Sequence, residues 1–92
     1  MDLNLPFALP NLQADLKNRR IRRQSPGGHI TVEVDLTKTV TGIILSPECF
    51  QRAEPAAVAR TLQDTLNEAL REAEHAACQA LLSAAKPYLP KG

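Results

Sequence analysis

The last third of the chain constrains the fold most, because it predicts one helix that is too long for so small a protein to cover. Alanine and leucine dominate residues 55–86, Pro55 suits the first helical position, and Pro87 stops the helix. About thirty residues make a helix of roughly 45 Å. The whole chain has 92 residues, and chains of that length bury only about 60 to 65 per cent of their unfolded surface. A second copy of the chain is the simplest cover for the helix.

The apolar positions of this helix recur at alternating steps of three and four residues, which places them in one narrow seam. Because the seam consists of leucine and then mostly alanine, another backbone can approach it closely. We therefore expect a paired-helix interface between two copies. Its predicted residues are Leu62, Leu66, Ala69, Ala73, Ala76 and Ala80.

A β-hairpin is predicted over residues 25–47. Apolar and polar residues alternate from His29 to Leu36, so one face carries aliphatic side chains and the other carries Thr31, Glu33 and Asp35. After a short turn, residues 40–46 predict an antiparallel partner strand that Pro47 closes. The aliphatic face consists of Ile30, Val32, Val34 and Leu36. Residues 21–25 are a candidate for a further, weaker strand, so the sheet has two or three strands.

The N-terminal part predicts an arm and a short helix. Two prolines interrupt residues 1–10, which favours an extended arm. Asn11 suits a helix cap, and the basic residues that follow suit a helix C-terminus, so we expect a short helix that ends between Arg20 and Gln24. The arm's alternating leucines and Phe7 fit either a strand added to a sheet edge or a disordered tail. Residues 11–24 then form the short helix and basic segment of a single domain, residues 1–92, of the α+β class.

Charge is nearly balanced over the chain but clustered near one end. There are 11 basic and 10 acidic residues, so the overall field does not indicate a nucleic-acid binder. Five of the basic residues, however, fall in seven positions with no acid among them. The cluster is Lys17, Arg19, Arg20, Arg22 and Arg23. These residues fit phosphate contacts, and they fit equally well a solubilising helix end whose stems pack on the sheet.

Catalytic and metal chemistry have few candidates. His75 and Cys78 lie three residues apart on the predicted helix, but a zinc site needs three or four protein ligands. Glu33 and Asp35 share a strand face, where solvated acids are common. Gly27 and Gly28 precede a strand rather than the helix of a phosphate loop. We expect no catalytic residue, no cofactor, no metal and no enzymatic activity.

Other acidic and aromatic residues narrow the partners. Asp64, Glu68 and Glu72 form an acidic row that is interpreted as a solvated helix face. The aromatic residues are Phe7, Phe50 and Tyr88, too few for a platform that stacks single-stranded bases, so duplex DNA is the more plausible nucleic-acid partner.

The cellular setting follows from cysteines and hydropathy. Two cysteines, Cys49 and Cys78, are too few for a disulfide framework. The first ten residues do not resemble a signal peptide, and no apolar run is long enough to cross a bilayer. The expectation is a cytoplasmic protein without a membrane partner.

The order of short helix, hairpin and long helix resembles the YbaB/EbfC family of nucleoid-associated DNA-binding proteins. The string of residues 25–35, the strand that ends at Pro47, and the Ala/Leu helix carry the resemblance, which spans roughly residues 21–85. Gly28 is similar to the family's glycine before the first strand, and Lys38 stands where many members place a hairpin glycine. The resemblance implies an intertwined homodimer in the bacterial nucleoid that binds DNA with little sequence preference.

Two functions are therefore carried forward. With the resemblance, the basic cluster is favoured as a contact to the backbone of double-stranded DNA, made by a homodimer. The alternative is a non-catalytic dimeric protein-interaction module without appreciable DNA binding, in which the helices or the arm contact a protein partner.

Overall fold

The computed structural model describes residues 9–86 and shows an α+β architecture in which one long helix covers part of a three-stranded sheet. Two short helices and three consecutive strands precede the long helix. The elements are α1 (Leu9–Asn18), β1 (Arg20–Gln24), β2 (Ile30–Asp35), β3 (Val40–Leu45), α2 (Cys49–Arg52) and α3 (Pro55–Ala85). The strands pair in the order β1-β2-β3, antiparallel throughout. The predicted fold class, an antiparallel sheet followed by a long helix, is confirmed for the single chain.

The central strand β2 supplies most of the core. Val32 and Val34 are completely buried, and Ile30 and Leu36 are 2% exposed. They pack against buried residues of α3, including Ala69 and Ala73. The predicted alternation is confirmed for these four aliphatic residues.

Asp35 corrects that alternation, because it is 6% exposed although the pattern placed it on a solvated face. Its carboxylate accepts hydrogen bonds from the backbone N–H of Thr37 at 2.8 Å and of Thr39 at 3.1 Å, and from the Thr37 hydroxyl. The β2–β3 turn therefore folds over the carboxylate. A buried acid is tolerated here because these donors replace its water.

Both hairpins turn through residues with positive φ. Gly27 and Gly28 have φ of 87° and 76° in the β1–β2 turn, where the missing Cβ removes the steric penalty. Lys38 has φ of 67° in the β2–β3 turn. A side chain is unfavourable in that conformation, and the Asp35 hydrogen bonds to the residues on either side of Lys38 hold the turn together.

Helix α1 begins and ends earlier than the sequence predicted. It already includes Leu9 and Pro10, because a proline in the first helical turn sacrifices no hydrogen bond, so Asn11 lies inside the helix and is not its cap. It ends at Asn18 rather than between Arg20 and Gln24, since residues 20–24 pair with β2 instead. The rest of the predicted extended arm lies outside the described residues.

A one-turn helix, α2, was not predicted after Pro47. Its first residue, Cys49, is buried, and its thiol lies 3.1 Å from the carbonyl oxygen of His29. This contact ties the segment after β3 back to the start of β2.

Helix α3 matches its predicted range almost to the residue. Its buried positions are Val58, Thr65, Ala69 and Ala73, and the Thr65 hydroxyl is satisfied by the carbonyl of Thr61 at 2.8 Å. The helix packs against β1 and β2 and leaves β3 largely uncovered. Among the helices of residues 9–86, none has the length and apolar character needed to cross a membrane.

Candidate nucleic-acid interface

The predicted basic cluster lies along one edge of the sheet. Lys17 is in the last turn of α1, Arg19 joins α1 to β1, and the other three residues belong to β1, which is an edge strand. All five side chains belong to exposed residues. The structure therefore brings these residues together at a basic edge. We use this name for Lys17, Arg19, Arg20 and Arg22, because Arg23 lies opposite the buried Val32 on the other face of the sheet.

The two faces of β1 have different roles. Arg20 and Arg22 lie opposite Asp35 and Glu33 of β2, whereas Arg23 lies opposite the buried Val32. Directly opposed residues in an antiparallel pair share a face. Arg20 and Arg22 therefore lie on the outer face of the sheet, and Arg23 lies on the inner face that α3 covers.

Glu33 lies between the two outer arginines. One of its carboxylate oxygens is 3.8 Å from Nε of Arg20, and the other is 3.8 Å from Nε of Arg22. The Thr41 hydroxyl donates to the first oxygen at 3.1 Å. Arg20 also lies 3.9 Å from Asp35. The acids of β2 thus balance the charge of the outer arginines.

Arg23 links the sheet to α3 rather than facing a partner. Its guanidinium donates to Glu68 at 3.2 Å and lies 3.6 Å from Glu72. Two members of the predicted acidic row therefore contact β1, which qualifies the interpretation of that row as a purely solvated face. Arg23 is correspondingly the member of the cluster least available to a phosphate.

The remaining two cluster residues, Lys17 and Arg19, are held by few contacts. Arg19 lies 3.6 Å from Asp15 in an exposed pair one helical turn apart. Lys17 makes no ion pair with the described residues, and its carbonyl accepts a hydrogen bond from Arg20 at 3.1 Å. Exposed pairs of this kind are weak, so both cations remain accessible to an anion.

The predicted dimer seam divides into two groups in the structure. Ala69 and Ala73 are completely buried against the chain's own sheet, which leaves no surface there for a second copy. Leu62, Leu66 and Ala76 pack at the margin of the same core, and Ala80 is half-buried. The small residues therefore allow close approach of β2, whereas the sequence pattern had assigned that role to a partner helix.

An apolar surface that the sequence did not predict lies on β3. Val40, Ile43 and Leu45 oppose the buried Val34, Val32 and Ile30, so they share the inner face of the sheet. We call these three residues the β3 face. They are 41, 45 and 37% exposed, because α3 lies over β1 and β2 instead.

The flank of α3 that borders the β3 face is marked by an ion pair. Lys38, in the β2–β3 turn, lies 3.5 Å from Glu74. Leu70 is one helical turn before Glu74, and Ala77 and Leu81 follow within two turns, so these apolar residues lie on the same side of the helix. Leu70 and Ala77 are half-buried and Leu81 is 52% exposed, so this flank of α3 carries partly exposed apolar surface.

Candidate chemical groups elsewhere do not converge. Within residues 9–86, no three His, Cys, Asp or Glu side chains form a cluster that could hold a metal ion. Cys49 is buried and Cys78 is exposed, and both are free thiols. Asp35 accepts hydrogen bonds from the β2–β3 turn. Glu33 forms ion pairs with two arginines.

Sequence reasoning missed the ion pairs that Glu33 makes with the basic edge. The signal was present in the alternation of β2, which puts Glu33 on the polar face, but its partners follow only from the register of β1. The β3 face was missed for a similar reason, because only the position of α3 reveals which apolar strand is left uncovered.

Known structures share this fold. The crystal structure of the uncharacterized protein HP0035 from Helicobacter pylori superposes with a TM-score of 0.69 over 80% of this chain and 86% of that chain, at 15% sequence identity. This similarity establishes the fold. Among curated proteins, no sequence matches significantly.

A family model confirms the family that the sequence resembles. The model of the YbaB/EbfC DNA-binding family matches residues 8–87, which is most of the chain and includes the sheet, the basic edge and α3. Because the match covers most of the chain, the chain belongs to the YbaB/EbfC DNA-binding family.

Proposed function

We propose that this protein binds double-stranded DNA in the nucleoid as a homodimer, through the phosphate backbone and with little sequence preference. The observation that carries the proposal is the basic edge, which gathers four exposed cations in a chain of a DNA-binding family. Contacts to phosphate position a protein on DNA but carry no sequence information.

The homodimer is supported by what one chain leaves uncovered. The chain measures 56 × 25 × 22 Å with a radius of gyration of 17.4 Å, against about 12 Å for a compact domain of this length. The β3 face leaves apolar side chains exposed in a subunit with a small core. A second copy would supply complementary apolar side chains, including Leu81 and Leu82, which are 52 and 57% exposed.

A dimer would also present two basic edges. If each edge engages three phosphates, six contacts give a slope of log K against log salt near −5, from about −0.9 per contact. The four cations of one basic edge are enough for three phosphate contacts, even without Arg23. Pairing therefore compensates for a net charge of only +1 per chain.

The test is a gel-shift titration against several unrelated duplexes, at salt concentrations from about 50 to 200 mM. The double variant Arg20→Gln/Arg22→Gln should lower affinity for every duplex by roughly tenfold or more, because removing a cation that neutralises a phosphate weakens binding regardless of sequence. The matched control is Arg60→Gln/Arg71→Gln, which removes the same charge from exposed positions of α3.

Each result decides where, and how, the protein binds DNA. Equal reductions in affinity across duplexes in the β1 variant alone support the basic edge. A reduction confined to the α3 variant would move the contact to the helix. Strong discrimination among duplexes by the wild-type protein would contradict backbone recognition.

The exposed apolar surface favours one second candidate, a dimeric protein-interaction module without appreciable DNA binding. Phe50 is 58% exposed and Ile44 is 60% exposed, and exposed apolar surface can contact proteins where it is contiguous. No binding of the wild-type protein to any duplex at low salt would support this candidate over DNA.

A further inference from the structure

We propose that Glu33 is an internal competitor for DNA phosphate, and that the outer face of the sheet between Arg20 and Arg22 is a phosphate site which its carboxylate occupies in the free protein. This inference rests on the proposed function and assigns part of its contact surface. It predicts that an acidic residue of the protein itself limits the affinity for DNA.

The geometry of the Glu33 contacts carries the inference. Each of its two carboxylate oxygens faces a different arginine at 3.8 Å. A phosphodiester group also presents two charged terminal oxygens, and guanidinium groups bind both kinds of anion through planar forks of N–H donors. The carboxylate therefore holds the position that a backbone phosphate would take between the same two side chains.

The contacts are weak enough to be exchanged. Arg20 and Arg22 have side chains that are 46 and 64% exposed, and distances of 3.8 Å exceed hydrogen-bond range. Water and salt screen exposed pairs of this kind. A phosphate that forms direct hydrogen bonds to the guanidinium groups would thus displace Glu33 without disturbing the core.

There is also space beside Glu33 for the incoming group. The outer face has a concavity of about 120 Å³ lined by Arg22, Thr31, Glu33, Gly42 and Ile44. Gly42 lies opposite Glu33 on β3 and contributes no side chain. The outer face is also opposite to the β3 face, so a dimer formed through the β3 face would leave the site open.

Arg23 shows the contrasting case. Its hydrogen bond to Glu68 is 3.2 Å long and joins β1 to α3, and a second acid lies beside it. Displacing these acids would loosen the contact between sheet and helix. Competition by phosphate is therefore assigned to Glu33 and not to the acids of α3.

The test compares Glu33→Gln with the wild-type protein in DNA titrations at low salt, using the same unrelated duplexes. The amide keeps the size of the side chain and an oxygen that accepts from Thr41, but it removes the competing charge. We expect affinity to rise by roughly 3- to 10-fold for all duplexes, the range set by two exposed ion pairs. The matched control is Asp64→Asn, which removes one negative charge from an exposed residue that pairs with none of the described side chains.

A second comparison isolates the two arginines. In the Arg20→Gln/Arg22→Gln background, Glu33→Gln should not raise affinity, because the groups for which phosphate competes are absent. Circular dichroism checks that each variant is folded. A rise in that background equal to the rise in the wild-type background would overturn the inference.

The outcomes also separate this inference from the proposed function. If the wild-type protein binds DNA and Glu33→Gln binds no more tightly than Asp64→Asn, then Glu33 does not compete with phosphate, and the proposal of DNA binding stands. If neither the wild-type protein nor Glu33→Gln binds any duplex, both proposals fail. Binding by Glu33→Gln alone would support the competitor in its strongest form.

Discussion

At the scale of single residues, Asp35 is the clearest case of a polar side chain that stabilises a turn. The hydrogen bond from the Thr37 side chain, followed by those from the Thr39 and Thr37 backbones and the charge of Arg20, lowers the pKa of Asp35 from its ordinary value of 3.8 despite the opposing effect of burial. Folding therefore favours the charged form.

The pH dependence of stability follows from that direction. Because the folded pKa lies below the unfolded value, the stabilisation is complete above the unfolded pKa and is lost as the pH falls through the folded pKa. We expect Asp35→Asn to cost roughly 1 to 3 kcal/mol near neutral pH, and the gap to the wild-type protein to narrow below about pH 4. Urea melts at a series of pH values measure this gap.

The exposed Asp15 provides the control for this prediction. Asp15→Asn removes an equal charge from an exposed helical pair and should stay within about 0.5 kcal/mol at neutral pH. A gap between Asp35→Asn and wild type that stays constant from neutral pH to about pH 3, below the ordinary aspartate pKa, would show that the turn does not depend on the charged carboxylate.

At the scale of elements, the contact between α3 and β2 depends on small residues. Ala69 and Ala73 are completely buried, which lets the helix backbone lie close to the strand. Close packing of this kind leaves no room for longer side chains.

The replacement Ala73→Leu should therefore destabilise the chain by roughly 1 to 3 kcal/mol, because the added carbons force the helix away from Val32 and Val34. Ala56→Leu, at an exposed position of the same helix, should stay within about 0.5 kcal/mol. Urea unfolding followed by circular dichroism compares them. Equal effects would mean that the buried contact is looser than the structure shows.

Elements were more predictable from the sequence than the contacts between them. Val32 alternates with Glu33, and Pro55 and Pro87 bracket α3, so local patterns located β2, β3 and the long helix. The end of α1 was misplaced because strand pairing by residues 20–24 overrode the helical signal, which no local pattern records. Arg23 and Glu68 are 45 residues apart, so the ion pairs of the candidate site depend on a tertiary arrangement that charge counts do not contain.

At the scale of the whole molecule, neighbouring residues of β3 distinguish the two sides of the sheet. Ile43 lies on the β3 face, whereas Ile44 lies on the outer face, and both are exposed in one chain. A substitution at either position should therefore have little effect on the stability of a single subunit. The two substitutions should differ in effect only if a partner covers one side of the sheet.

Light scattering after size exclusion should give twice the subunit mass of 10.0 kDa for the wild-type protein. Ile43→Lys should shift the mass toward one subunit at micromolar concentration, because it places a charge in an apolar interface. Ile44→Lys should leave the mass unchanged. A wild-type mass of one subunit, or the same shift for both variants, would contradict the proposed dimer.

The strand order β1-β2-β3 has a consequence for how the chain folds. Each strand pairs with its neighbour in sequence, so the sheet forms by closing two short loops, whereas Arg23 meets Glu68 only across 45 residues. The entropy cost of closure rises with loop length, and local contacts accelerate folding. We therefore expect the two hairpins to form before α3 docks on the sheet.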